Sequence, residues 1–319
     1  MSRDFSKKKN YLVTGGAGFI GSEFVRQRFA KEDFGRIYII DKLTYASDMN
    51  RIKEAVADSR IEFIESDICD TENYSKVLTD IDEIVHFAAE SHVDRSITNG
   101  FPFVMSNVVG SYSLLETARM ANVERVIMIS TDEVYGSIEN GETDEMSGIK
   151  PSSTYSASKA ASDLLALAQA VTFNQNIVIT RASNNYGDYQ NVEKFIPNII
   201  FRALNNLRIP IYGNGKNVRE WLHIEDHIGA IDKISQSGVA GQIYNIGSGE
   251  RYSNLEVAKL ILSKLGKSNE LLEFVEDRKG HDFRYALDSS RMLREFDWKP
   301  NIKFEAGISK LVSKALSES

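Results

Sequence analysis

The sequence predicts an α/β fold: a doubly wound parallel sheet covered by helices, followed by a smaller α/β lobe. Two observations carry this. Short β-branched runs alternate with longer helical patterns through the first half of the chain, and that alternation builds a parallel sheet with both faces covered. A Gly-rich run, Thr14-Gly-Gly-Ala-Gly-Phe-Ile-Gly21, sits where the first strand gives way to the first helix, which is where such a sheet places a phosphate-binding turn.

The predicted strands are 10–14, 36–41, 61–65, 83–88, 125–130 and 176–181, with helices over 20–31, 103–122 and 155–173 among them. After Arg181 the rhythm breaks. Gly and Asn cluster at Asn184-Asn-Tyr-Gly187 and Gly213-Asn-Gly215, with a helical pattern over 192–206. A strand at 242–246, a helix at 254–265 and an amphipathic tail follow. We read 1–183 as a dinucleotide-binding domain to which 221–247 returns, and 184–220 with 248–319 as a substrate lobe. The polar stretch 137–150 is expected to be a surface loop. The helix over 157–171 is apolar at 157, 160, 161, 164, 165, 168 and 171, and 103–122 is apolar on more than one side. Such helices lie deep in a core or pack against a partner subunit.

Composition narrows the class. The 319 residues carry a net charge of −7, which argues against nucleic acid or an anionic membrane as partner. No apolar run approaches the ~20 residues that span a bilayer. The first ten residues have basic groups but no apolar stretch after them, unlike a signal peptide. The single cysteine, Cys69, cannot form an internal disulfide, so a reducing, cytoplasmic setting is expected. No metal site is predicted.

The Gly-rich run has the spacing of a Rossmann-type dinucleotide turn. Gly15, Gly18 and Gly21 allow a tight turn, close approach of a pyrophosphate and close helix–strand packing. The helix N-terminus behind them supplies N–H groups and a favourable dipole for phosphate. Asp41 closes the second strand twenty positions after Gly21, where an acid accepts ribose hydroxyls and repels a 2′-phosphate. That favours NAD over NADP, while Lys42 pulls the other way. Asp67-Ile68 is placed either to meet the adenine or to form a turn.

Tyr155-Ser-Ala-Ser-Lys159 follows the fifth strand, and a spacing of four puts phenol and ammonium on one helix face. A nearby cation favours phenolate, so Tyr155 is a candidate base and Lys159 its activator. Ser130 or Thr131 could share the same substrate hydroxyl. Asp132-Glu133 adds two more proton-transfer groups at the strand end. Adjacent strand residues face opposite ways, so the two acids serve one site only where the strand has ended. The plainer reading is an Asp capping a turn beside a solvated Glu.

Further runs complete a pattern. Asp41-Lys-Leu-Thr-Tyr-Ala46, Ala88-Ala-Glu-Ser-His-Val-Asp-Arg-Ser-Ile97, Ser130–Gly136, Pro210-Ile-Tyr-Gly213, Arg219-Glu-Trp-Leu-His223 and Gly280-His-Asp282 join the motifs above. Together they resemble the nucleotide-sugar 4,6-dehydratases of the extended short-chain dehydrogenase/reductase superfamily, over nearly the whole chain. The resemblance implies tightly held NAD and a redox-neutral dehydration. Tyr155 takes the proton from the sugar 4-hydroxyl as hydride leaves C4. Glu133 then removes the C5 proton, protonated Asp132 donates to the departing 6-hydroxyl, and hydride returns to C6.

By the same resemblance, Gly15, Gly18, Phe19, Ile20, Gly21, Asp41, Lys42, Thr44, Asp67, Ile68, Ala88, Ala89, Ser106, Tyr155, Lys159 and Asn185 would hold the cofactor. Ser91, Thr131 and Asn184 would touch the sugar. Lys194, Pro210, Tyr212, Arg219, Asn254, Arg278 and His281 would hold the nucleotide, with Arg219 suited to clamp a diphosphate. His281 has an equal reading as a hydrogen-bonding loop residue. His86, Trp221 and His223 read as packing residues. Asp188, Asn191-Val192 and Lys279 stand where the family carries prolines or an aromatic–proline pair. A homodimer is implied. The competing readings are the same or a truncated chemistry on a UDP- or GDP-hexose or N-acetylhexosamine, a nucleotide-sugar 4-epimerase, and a non-catalytic NAD sensor. Neither of the last two has a use for Asp132-Glu133.

Overall fold

The computed structural model describes residues 8–318; positions 1–7 of the start of the chain lie outside them. The strands, in chain order, are β1 (Lys9–Thr14), β2 (Phe34–Asp41), β3 (Ile61–Glu65), β4 (Glu83–His86), β5 (Arg125–Thr131), β6 (Ile177–Ala182), β7 (Asn184–Tyr186), β8 (Ile209–Tyr212), β9 (Val218–His223), β10 (Ile243–Ile246), β11 (Arg251–Ser253) and β12 (Leu272–Val275). The helices are α1 (Phe19–Lys31), α2 (Val93–Thr98), α3 (Phe101–Phe103), α4 (Ser111–Met120), α5 (Thr154–Phe173), α6 (Phe195–Leu204), α7 (Ile224–Ser237), α8 (Asn254–Lys264), α9 (Ser290–Phe296) and α10 (Phe304–Glu318).

Seven strands form one sheet in the order β10-β6-β5-β4-β1-β2-β3. Strand β1 pairs in parallel with β2 on one side and β4 on the other, which puts the reversal of strand order beside the Gly-rich turn. Open α/β sheets bind ligands at that reversal. The predicted Rossmann-type fold is the one observed.

The chain divides into two compact units. One comprises Met1–Ser130, Thr154–Thr180 and Asp232–Ile243; the other comprises Thr131–Ser153, Arg181–Ile231 and Tyr244–Ser319. The first is built on a core in which Leu12, Ile40, Ile84, Val126 and Ile179 pack with Leu114 and Leu115 of α4. The second is built on Tyr186, Trp221 and Phe304, whose rings meet edge-on or stacked, with Ile196, Ile199, Val257 and Ile261 around them. Its small sheets are β11-β9-β7 and β12-β8.

Two expectations are adjusted. The helix predicted over 103–122 is helical throughout 101–120 but carries a π-helical stretch, Val104–Gly110, between α3 and α4. The wider turn points Ser106, Asn107 and Gly110 all inward. Asn107 uses this to clamp Glu90, accepting its N–H at 2.8 Å and donating to its carbonyl at 3.0 Å. Strand β4 stops at His86, short of 88, level with the end of its partner β1 at Thr14, to which Phe87 and Ala88 still donate. On α5 the apolar stripe is buried at Ala160, and the buried face is otherwise largely polar. Ser156, Ser158, Lys159, Ser162, Asp163 and Gln169 are buried, while Leu164 and Val171 are exposed.

The 137–150 loop lies on the surface but is fixed along its length. Ile138 and Thr143 donate to the carbonyls of Arg284 and Ala286, and Asp288 N–H donates back to the Thr143 carbonyl. Arg251 reaches Glu142 at 2.7 Å, and Asn245 N–H donates to Glu145. Among the described residues no helix is long and apolar enough to cross a membrane.

Candidate active site

The dinucleotide cradle is built at the end of β1. Gly15 has φ +68°, and a Cβ there would lie 2.7 Å from the Ala88 N–H nitrogen. A Cβ on Gly21 would lie 2.3 Å from the Gly15 carbonyl oxygen. Side chains at either position would fill the turn, so the glycines are required by close approach. Gly18 is the N-cap of α1 and offers no side-chain cap. The first-turn N–H groups of Phe19, Ile20 and Gly21 are thus presented where an anion binds. These features fit a dinucleotide's pyrophosphate.

Asp41 ends β2 and is buried. Its carboxylate accepts Ala17 N–H at 3.0 Å, Leu43 N–H at 2.9 Å and the Ser47 hydroxyl at 2.7 Å. Three of its roughly four acceptor positions therefore organise the loop carrying Thr44, which leaves room for about one ribose hydroxyl. Lys42 is engaged by Asp67 at 3.3 Å and Glu90 at 3.7 Å. Its cation thus lies between two acids. Asp67 also accepts Cys69 N–H and opens a turn to Asp70. Burial works against its ionised form, but the Cys69 N–H and Lys42 outweigh that and lower its pKa. The Ile68 side chain is buried in the core, Ala88 donates to Thr14, and Ser106 is buried in the π stretch.

Tyr155 opens α5, its ring edge-on to Phe103 at 6.3 Å. Lys159 lies one turn on, buried, and donates to the Ile129 carbonyl of β5 at 2.7 Å. Burial lowers its pKa, opposed by Asp163. His86 has the packing role expected of it. Its two ring nitrogens lie 2.7 Å from Thr14 Oγ1 and 2.9 Å from Ser111 Oγ, and burial with Lys159 nearby depresses its pKa to about 3.

The acids occupy a short 3₁₀ turn, Asp132–Tyr135, directly after β5. Thr131 is its N-cap, accepting Glu133 N–H at 3.3 Å and donating to Asp132 Oδ1 at 3.2 Å. The turn ends at Gly136, φ +74°, where a Cβ would lie 2.0 Å from the Lys150 carbonyl oxygen. Helical geometry here replaces strand alternation, which removes the objection to both acids serving one site. In the plainer reading Asp132 caps a turn beside a solvated Glu133; here Thr131 makes the cap, Glu133 is half-buried and Asp132 is 2% exposed. Its Oδ2 is buried with no hydrogen-bond partner among the described residues.

Burial raises the Asp132 pKa well above the ordinary range, reinforced by Glu133 and then Glu220, against Arg219 and the Thr131 hydroxyl. Burial also raises that of Glu133, but Arg219, Arg278 and Lys194 pull it back while Asp282 adds to it. The environments therefore separate the two acids: Asp132 faces mainly like charge and Glu133 mainly cations. Such a separation is how one site holds an acid and a base at once.

Arg219 is buried on β9, donating to the carbonyls of Val218 and Asp282 at 2.8 and 2.9 Å and lying 4.5 Å over the Tyr285 ring. Tyr285 donates to Asp282 at 2.5 Å, and Ser152 bonds the same carboxylate oxygen. Neither Tyr285 nor Glu220 was picked out from the sequence. Glu220 was signalled by its place: an acid inside the apolar run of a strand faces opposite to Arg219. It is fully buried and accepts from Arg251 at 2.8 Å, Gly249 at 2.9 Å and Leu287 at 3.1 Å.

Of the remaining candidates, Asn184 opens β7 with its Oδ1 buried and unpartnered among the described residues. Asn185 is oriented by Ser183 and by His227, whose Nδ1 is 2.8 Å from its side-chain oxygen. Lys194 is the N-cap of α6 and Asn254 is the first residue of α8. Pro210 and Tyr212 lie on β8, and Tyr212 meets the His281 ring edge-on at 6.1 Å. His281 bonds Asp277 at 2.6 Å, and Arg278 N–H donates to the same acid. Ser91 is exposed and Ala89 half-buried in the loop after β4.

Residues 12–311 match the family model described as GDP-mannose 4,6 dehydratase. The chain belongs to this family. Within it, the chain is 43% identical over 307 residues to a dTDP-glucose 4,6-dehydratase of Actinoplanes sp., covering 95% of this chain and 96% of that protein. It is 45% identical over 307 residues to the low-salt glycan biosynthesis protein Agl12 of Haloferax volcanii, covering 96% and 98%. The crystal structure of DesIV, the dTDP-glucose 4,6-dehydratase of Streptomyces venezuelae with NAD bound, superposes with a TM-score of 0.94 at 44% identity, covering 97% of each chain.

Proposed function

We propose that this chain is an NAD-dependent hydro-lyase that converts a nucleotide-linked hexose, dTDP-glucose in first place, to its 4-keto-6-deoxy sugar. The observation that carries the reading is the acid pair: Asp132 buried, unpartnered at Oδ2 and with its pKa raised by burial and by Glu133 beside it. A 4-epimerase or a cofactor sensor has no use for such a pair. Family membership and the NAD-bound relative support the same reading.

The unit built on the seven-stranded sheet holds NAD in the Gly15–Gly21 cradle, with Asp41 on the ribose. The other unit, through Lys194, Tyr212, Arg219, Asn254, Arg278 and His281, holds the nucleotide. When bound, NAD takes hydride from C4 and gives it back at C6. Tyr155 accepts the 4-hydroxyl proton, with Lys159 favouring the phenolate and Thr131 bonding the same oxygen. The resulting ketone acidifies C5–H, which Glu133 removes. Asp132 donates its proton as the 6-hydroxyl leaves, so one water departs across C5–C6, and Glu133 returns its proton to C5 as hydride comes back to C6.

Asp188 pairs with Lys314 at 3.2 Å, and it replaces a proline beside the nucleotide residues. That departure makes the nucleobase the point to test. Offered dTDP-, UDP- and GDP-linked glucose, mannose and N-acetylglucosamine in parallel, the protein should form a 4-keto sugar fastest from dTDP-glucose. A preference for a UDP- or GDP-sugar would keep the chemistry and move the substrate; inversion at C4 without loss of water would sink the dehydratase reading.

The active species is a homodimer. Leu164 and Val171 on α5, with Tyr112 and Met120 on α4, form an exposed apolar face, and a second copy of the chain covers it. The setting is cytoplasmic, consistent with one free cysteine. Sedimentation of the purified protein tests the dimer; a monomer at micromolar concentration would refute it.

A further inference from the structure

The loops leaving β2 and β4 do not stay apart. Both strands flank β1, so they lie about 10 Å from each other with β1 between them. Each loop is fixed against the Gly-rich turn. On the β2 side, Asp48 N–H donates to the Ala17 carbonyl, and Arg51 joins the carbonyls of Ala17 and Ala46 at 3.1 and 2.8 Å. On the β4 side, Gly15 packs on Ala88, and Asn107 holds the Glu90 backbone from both its N–H and its carbonyl.

From these anchored bases the loops reach across to each other twice. Lys42 lies 3.7 Å from Glu90, and the Arg95 guanidinium sits 3.4 Å over the Tyr45 ring. The Gly-rich turn below and the two cross-contacts above make a closed ring at the carboxyl end of β1.

We propose that Tyr45 and Arg95 form a clasp that closes this ring over the bound dinucleotide and slows its release. The inference rests on the NAD-dependent reading above. A redox-neutral cycle needs the same cofactor molecule to stay through oxidation and return, so retention is a functional requirement. The clasp is suited to gate release because it is superficial. Tyr45 is 43% exposed and Arg95 is also exposed, so their contact can open while the anchored loop bases remain in place. Neither residue belongs to the cofactor contacts that family resemblance implies.

The test uses holoprotein as purified. Bound NAD is counted after denaturation, and its release is timed by capture with excess alcohol dehydrogenase and ethanol. The wild type should carry NAD and release it slowly. Arg95→Ala and Tyr45→Ala should each release it about two- to five-fold faster, the range for an exposed cation–π contact. The double variant should be no faster than the faster single, since both remove one contact. Tyr45→Phe, which keeps the ring, should release NAD like the wild type. Wild-type holoprotein with unchanged release in both alanine variants overturns the clasp alone, as do singles whose effects simply add. Wild-type protein that is empty and binds added NAD weakly overturns the tight-cofactor reading and the clasp with it.

Discussion

Replacing Asp132 by Asn keeps the side chain's size and removes its proton, and the structure sets opposite consequences for stability and catalysis. In the folded protein, burial, Glu133 and Glu220 hold the Asp132 carboxyl protonated well above the ordinary range. In the unfolded chain it ionises with a pKa of about 3.9. The stability this group contributes is whole below about pH 4 and is lost as pH rises toward its folded-state value, at about 1.4 kcal/mol per pH unit. Asn suffers no such loss. Wild type and Asp132→Asn should therefore unfold at similar denaturant concentrations near pH 4. Near pH 8 the variant should be the more stable, by about 1.4 kcal/mol for each unit by which the carboxyl is raised.

Catalysis should move the other way. Loss of a general acid costs about 10²- to 10⁴-fold in kcat, while C4 oxidation does not need it. Stopped-flow absorbance should show bound NADH accumulating in Asp132→Asn with little 4-keto-6-deoxy product. Stability parallel to wild type at every pH would refute the raised carboxyl. A kcat within tenfold of wild type would refute the donor role.

Other outcomes follow from the same geometry. Glu133→Gln should also stop dehydration by about 10²-fold or more yet leave NADH formation visible; normal turnover would remove Glu133 as the base at C5. Tyr155→Phe should abolish even the NADH signal, and retained oxidation would take Tyr155 out of the first step. His227 is fully buried, with Nδ1 on Asn185, and burial lowers its pKa to about 3. Because the unfolded imidazole titrates near 6.5, stability from His227 is present above that pH and is lost as pH falls through the interval down to about 3. It should cost about 2 kcal/mol between pH 7.5 and pH 5. Denaturant titrations at the two pH values should show a smaller acid loss in His227→Asn than in wild type; equal losses would contradict the buried neutral imidazole.

Much of the fold was readable from local pattern. The alternation of β-branched and helical segments, the glycine spacing at 15, 18 and 21, and the Tyr155/Lys159 spacing all act over a few residues, so neighbours in the chain are enough to express them. What local pattern left open shares a cause. The helix over 103–122 looks continuous in propensity, but the inward turn of Asn107 toward Glu90 and the tight contact of Gly110 with Ile68 are made with residues that pattern cannot see. For the stripe on α5, hydrophobicity left core burial and partner packing as open alternatives. The largely polar face is the buried one, because Lys159 must reach the Ile129 carbonyl and Asn107 must reach Ser158.

By itself, then, the sequence determined the sheet-and-helix order, the phosphate turn and the presence of two adjacent acids, since each is a short-range property of the chain. Only the tertiary structure decided what those acids are. Burial raises the Asp132 pKa, reinforced by Glu133 and by Glu220, which is far along the chain on β9, while Arg219, Arg278 and Lys194 pull that of Glu133 back. The pairing of Lys42 with Asp67 and Glu90 is likewise made only in the folded chain. Protonation and pairing depend on which charges share a desolvated volume, and that is set by packing between segments distant in sequence.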